Sequence, residues 1–123
     1  MRSTRIKDQF LKKIESGRKD LEIRVAYPSM RNIRVGELIE FHSRARSTVV
    51  KIADIRRYST FEAMLKKEDA CRIVPEYSDD TLLGLLRNIY PKDKEKLGVI
   101  ALQINIKNLW FIRLKRTWSD EEP

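Results

Sequence analysis

The chain has 123 residues, of which 41% are hydrophobic and 36% charged; a domain near that size buries roughly two-thirds of its unfolded surface, so one core under a densely ionic surface is expected. No apolar run approaches the roughly 20 residues that span a bilayer, and the basic start Met1-Arg2-Ser3-Thr4-Arg5 reads as leading into an amphipathic segment rather than as a signal peptide. A single cysteine, Cys71, suits a reducing, cytoplasmic setting, and the net charge of +8 favours polyanions such as nucleic acid, although such an excess also serves solubility.

Ile6, Phe10, Leu11 and Ile14 recur at helical spacing, with Lys7, Lys12, Lys13 and Glu15 on the other face and Gly17 as the stop. Residues 20–26 alternate, which predicts a strand with Leu21, Ile23 and Val25 facing a core. Glu22 and Arg24 then stand together on the opposite face, with Lys19 where the strand begins. Residues 27–32, which include Pro28, read as a loop, 35–37 as a turn and 38–42 as a strand. After a basic connection around Arg44 and Arg46, a longer strand is expected over 48–57.

Ser59 and Glu62 have capping-box spacing ahead of the apolar face Phe61, Met64 and Leu65. Cys71 lies in a helical-looking segment, 70–74, where a small buried hydrophobe is expected. Ser78, Asp79 or Asp80 caps a further helix with the buried stripe Leu82, Leu85, Leu86 and Ile89, ended by Pro91. Residues 92–96 read as a solvated charged stretch. From Val99 the period changes to two: Ile100, Leu102, Ile104 and Ile106 form one buried face, and Ala101, Gln103 and Asn105 the other side. A last strand is expected over 109–115, placing one of Trp110 and Phe111 inward and one outward, followed by a frayed acidic tail at 119–123. Residues 1–123 thus read as a single α+β domain whose strands curl into a small barrel.

Several chemistries are excluded by composition. One histidine, His42, and one cysteine do not make a zinc site, and four unclustered glycines make no phosphate loop, so neither metal nor cofactor is expected. His42 ends a strand and is expected to be half-exposed. A lysine-centred mechanism stays open, since Lys19 near Glu22 acts as a base if burial or neighbouring cations lower its pKa. The same three residues, Lys19, Glu22 and Arg24, also fit an ordinary surface ion network.

The pattern Gly17-x-Lys19-x-x-Glu22-x-Arg24 resembles the signature of the ASCH domain, a family related to the PUA RNA-binding fold. The surroundings are similar too: Phe10 and Ile14 in a preceding helix, the turn and strand at 35–41, the segment 58–65, the helix at 82–91 and the strand from Val99. The resemblance covers about 6–106, with 108–118 as a variable strand extension. It implies a small PUA-like β-barrel with helices bordering a cleft lined by the motif, and RNA or nucleotide-like ligands. Binding on that reading falls to Lys19 and Arg24 at phosphate, Arg18 at the rim, Glu22 at a base edge and a stacking tyrosine, Tyr58, with Tyr27 and Tyr77 as alternatives.

Some small bacterial relatives are amidohydrolases that deacetylate N4-acetylcytidine with a motif Lys, a Thr three residues later and a distant Glu. The resemblance implies Lys19 and Glu76 for the first and third. Glu22 occupies the Thr position, and a carboxylate cannot replace a hydroxyl nucleophile, so Glu22 would instead activate water as a general base. Two further alternatives are a ribonuclease, which lacks a catalytic histidine here, and a protein-interaction module without chemistry. Oligomeric state is not legible in the chain.

Overall fold

The computed structural model describes residues 1–106. Its frame is a five-stranded mixed sheet curled into a half-barrel, in the order β1 (Arg2–Arg5), β3 (Leu38–His42), β4 (Ser47–Tyr58), β5 (Val99–Asn105) and β2 (Leu21–Val25). β1 runs parallel to β3, and the other pairs are antiparallel. The helices are α1 (Asp8–Glu15), α2 (Phe61–Leu65), α3 (Ala70–Ile73) and α4 (Asp79–Ile89). The strand expected over 109–115, with Trp110 and Phe111, and the acidic tail lie outside the described residues.

The curl has a local cause in β4. Its register shifts between Ile52 and Asp54, and an extra residue of this kind bends a strand and increases its twist. The first half of β4 pairs with β3 and the second half with β5, so one strand turns the sheet. At the end of α1, Gly17 adopts φ +80°. The following N–H groups of Arg18 and Lys19 reach back to Lys13 O at 3.0 and 3.1 Å, which closes the helix and delivers Lys19 to the start of β2.

Two apolar layers result, one on each face of β2 and β5. Leu21, Ile23 and Val25 pack with Val99, Ala101 and the buried faces of α2, α3 and α4. Ile100, Leu102 and Ile104 pack on the other side with Ile39, Phe41, Val50, Ile52 and the α1 residues Leu11 and Ile14, filling the half-barrel. The predicted alternation in β2 therefore holds, but its Glu22 and Arg24 pair in register with Leu102 and Ile100 and share their interior-facing side.

Several sequence expectations are corrected by tertiary contacts. Residues 2–5 form a strand, because the parallel ladder to β3 supplies partners that a four-residue segment cannot announce. β5 is buried on both faces over Val99, Ile100, Ala101 and Leu102 rather than on one, since helices cover its second side. Glu15 is buried instead of facing solvent, with Arg46 Nη1 at 2.9 Å from one carboxylate oxygen and the Thr48 hydroxyl donating to the other. The cap of α2 is Thr60, whose side chain accepts from Ala63 N, in place of Ser59 with Glu62. Glu95, expected in a solvated run, accepts a 2.9 Å bond from Phe61 N at the start of α2. Cys71 is exposed and bonded to Asp69, because the four-residue α3 turns Ala70 and Ile73 inward instead. Ser78 caps α4 and His42 is half-exposed, as the sequence predicts.

Leu102 has no solvent exposure and sits between strands and α1. Leu102→Ala is expected to cost about 2–5 kcal/mol, the range for a large cavity in a packed core, read as a lowered midpoint in chemical denaturation.

Candidate ligand-binding cleft

At the start of β2, Lys19 is almost completely buried, at 3% exposure. Its Nζ lies 2.6 Å from Leu21 O, 2.9 Å from Ile73 O on α3 and 2.9 Å from Glu22 Oε1. An ammonium has three N–H donors, and here each meets an oxygen. Glu22, at 8% exposure, turns its other oxygen to Arg24, with Nε at 2.8 Å and Nη2 at 2.7 Å. Arg24 continues the chain: Nη1 donates to Thr4 Oγ1 at 3.0 Å and Nη2 to Arg5 O at 2.9 Å. Its guanidinium carbon stands 5.6 Å from the centroid of the Phe41 ring, within cation–π reach.

The electrostatics follow from burial against charge. Burial acts to raise the Glu22 carboxyl, but the Lys19 ammonium and the Arg24 guanidinium outweigh it and hold the group below its ordinary value of 4.5. For Arg24, burial works against the cation and the Glu22 carboxylate more than compensates, so its pKa is raised. Burial also pushes the Tyr90 phenol up, with Arg24 opposing and Glu22 adding to the shift.

These groups line one side of a cleft of about 180 Å³. The opposite wall is apolar and comes mainly from α4: Leu82, Leu85, Leu86 and Ile89, ending at Tyr90, with Phe10, Ile73 and Val74. The stripe predicted as core on α4 is thus divided. Leu82 and Leu86 are buried, Leu85 is half-buried and Ile89 is 44% exposed, so only part of the stripe serves the core. Arg5, Ile6 and Lys7 at the mouth also belong to a neighbouring groove, completed by Asp8, Ser43 and Arg44. Among the described residues Arg5, Lys7 and Arg44 form no ion pair, whereas Asp8 is engaged by Ser43 and Arg46.

Of the residues singled out in the sequence, the structure brings together Lys19, Glu22 and Arg24. Glu76 does not line the cleft: its side chain is 57% exposed and pairs with Lys13 at 3.2 Å and Arg18 at 3.4 Å. Arg18 is held at that surface pair. Tyr58 also lies outside the cleft, where its hydroxyl donates to the buried Glu68 carboxylate, itself forked by Arg56 at 2.6 and 2.7 Å. The sequence reading missed Thr4, Arg5, Lys7 and Tyr90. Residues 2–5, all polar, carry no apolar alternation, so the sequence holds no local signal for the first two, whose alternating burial only the structure shows. No group of three or more His, Cys, Asp or Glu able to hold a metal ion occurs among the described residues.

The architecture is shared with proteins of known structure. The family model of the ASCH domain matches residues 5–108. Hypothetical protein PH0355 superposes with a TM-score of 0.77 at 30% sequence identity, over 84% of this chain and 95% of that one. Protein PF0455 from Pyrococcus furiosus gives a TM-score of 0.72 at 28% identity, over 87% and 97% of the two chains. The ASCH protein of Zymomonas mobilis, at 14% identity and a TM-score of 0.60, shares the fold over 84% of this chain and 65% of its own. No curated protein matches the chain.

Glu22→Gln is expected to destabilise the protein by about 3–5 kcal/mol at neutral pH, because it breaks a buried ion pair and leaves cations uncompensated. The pH dependence has a defined sign. The folded carboxyl titrates below its unfolded value near 4.5, so its contribution is fully present above that pH and is lost as the pH falls through the folded value. Denaturation midpoints of the two proteins should therefore converge below pH 4.5.

Proposed function

Since the chain belongs to the ASCH domain family, an α+β fold of PUA-like type associated with RNA binding, we propose that its cleft binds one base of an RNA strand or a nucleotide-like ligand. The observation that carries this reading is the pairing of an apolar wall with a fixed polar floor, opening beside cations that form no ion pair among the described residues. A nucleobase has flat apolar faces and a hydrogen-bonding edge, and proteins take single bases between apolar or aromatic surfaces while reading that edge. Leu85, Ile89 and Tyr90 supply the apolar surface, and Glu22 and Arg24 stand at its polar side. Arg5, Lys7 and Arg44 are then the partners of the flanking phosphates. Lys19 is not a ligand contact on this reading, since its three donors are already directed to Leu21, Ile73 and Glu22.

Binding of a labelled single-stranded RNA, followed by fluorescence anisotropy at several salt concentrations, tests the proposal. Three neutralised phosphates predict a slope of about −2 in a plot of log affinity against log salt, from the single-strand coefficient. Combined alanine substitution of Arg5, Lys7 and Arg44 should bring the slope towards zero. Leu85→Asp should weaken binding at least tenfold with the slope unchanged. Affinity indifferent to Leu85→Asp would leave only attraction between charges and would remove the cleft from the reading.

A deacetylase reading asks Glu22 to take a proton from water. Its two oxygens are engaged by Lys19 and Arg24 and its carboxyl is held below the ordinary range, which makes it a weak base. The expected outcome with N4-acetylcytidine is no acetate release above a Lys19→Ala control. Turnover that disappears in that control would replace the binder with an enzyme.

A further inference from the structure

β1 and β2 are the two end strands of the sheet and share no backbone ladder. They are nevertheless tied, because Arg24 on β2 reaches Thr4 Oγ1 and Arg5 O on β1. Among the described residues the other side-chain bonds of β1 go elsewhere: Arg2 to Glu37, Asn32 and Ser29 O, and Ser3 to Glu40. A four-residue strand with a ladder on one side is poorly restrained by its backbone alone, and such edges are the first to open. Arg24 itself is immobilised from behind. Ile73 O holds Lys19, Lys19 holds Glu22 and Glu22 holds Arg24, a line of side chains from α3 to the seam of the half-barrel.

We infer that Arg24 is a positioning residue, strapping β1 across the seam and thereby setting the spacing between the apolar cleft and the cations of Arg5 and Lys7. Lys19 acts through it, and Glu22, besides its own place at the polar side of the cleft, holds it in position. The use that this spacing serves rests on the binding proposed above: a base in the cleft and its phosphates at the groove meet the protein together only if β1 stays in place relative to β2. The side chain type follows from geometry. A planar guanidinium presents donors in several fixed directions and so addresses Glu22, Thr4 and Arg5 O at once, whereas a lysine ammonium is a compact point charge on a flexible stem.

Two probes separate the strap from direct contact: cytidine, an uncharged nucleoside that reaches the cleft alone, and a short single-stranded RNA that spans cleft and groove. Thr4→Val removes one acceptor on β1 and touches neither the cleft nor the groove lining. It should leave cytidine affinity unchanged and weaken RNA binding by about fivefold, the order of one lost hydrogen bond. Arg24→Lys should weaken RNA binding further. In both variants amide hydrogen exchange at Thr4 and Arg5 should accelerate while β4 and β5 keep their protection. Equal losses for cytidine and RNA in Thr4→Val, or unchanged exchange in β1, would overturn the inference. If the unsubstituted protein binds neither probe, the binding proposal fails, and the exchange measurement still decides whether Arg24 straps the seam.

Discussion

A carboxylate taken out of water inside a half-barrel must be met by opposite charge, and Glu22 is met twice. Removing an ion from water costs several kcal/mol even after relaxation, and good geometry on both sides is needed to offset that loss. Lys19 on one side and Arg24 on the other provide it, with contacts of 2.9 and 2.7 Å. The two cations are then anchored in turn by Leu21 O, Ile73 O, Thr4 and Arg5 O. Once Glu22 is inside, the positions of α3, β2 and β1 are coupled, because each holds one end of a bond in the same line of side chains.

That coupling ties the polar floor of the cleft to three elements, whereas its other wall rests on apolar packing. The apolar wall comes from a helix whose stripe is wider than the core requires, so Leu85 and Ile89 remain accessible after Leu82 and Leu86 have been buried. The mouth comes from the junction of β1 and α1, where Arg5 and Lys7 project without carboxylate partners among the described residues. Some cations elsewhere are neutralised, Arg46 by Asp8 and Glu15, Arg56 by Asp54 and Glu68, Arg72 by Asp20, whereas others, such as Lys51, Lys67 and Lys96, form no ion pair among the described residues. The basic balance of the chain is therefore spread over several parts of the surface, and one of these adjoins the cleft.

Local pattern was reliable where a residue's surroundings come from its own segment. The alternation of Leu21, Ile23 and Val25 with Glu22 and Arg24 identified both faces of β2, and Ser78 and Gly17 marked helix ends through short-range backbone bonds. Pattern failed where a distant segment supplies the other half of the contact. Residues 2–5 become a strand only because β3 lies beside them, Val99 and Ala101 are buried only because three helices cover β5, and Glu15 is buried only because Arg46 and Thr48 reach it. Glu76 and Tyr58 have the right chemistry for a cleft, yet side chains nearer to them in space, Lys13 and Arg18 for one and Glu68 for the other, claim them elsewhere.

What the sequence determined by itself was the family-like motif, the alternation that puts Glu22 and Arg24 on one face, and the helix stop that sets Lys19 at their side. These depend on periodicity and backbone geometry over a few residues. Only the tertiary structure decided that this face is the inside of a half-barrel, that Arg24 spans its seam to Thr4 and Arg5, and that α4 leaves part of its stripe as a wall. Those outcomes depend on which segments meet across the fold, and pairing between residues far apart in the chain leaves no periodic trace in either segment alone.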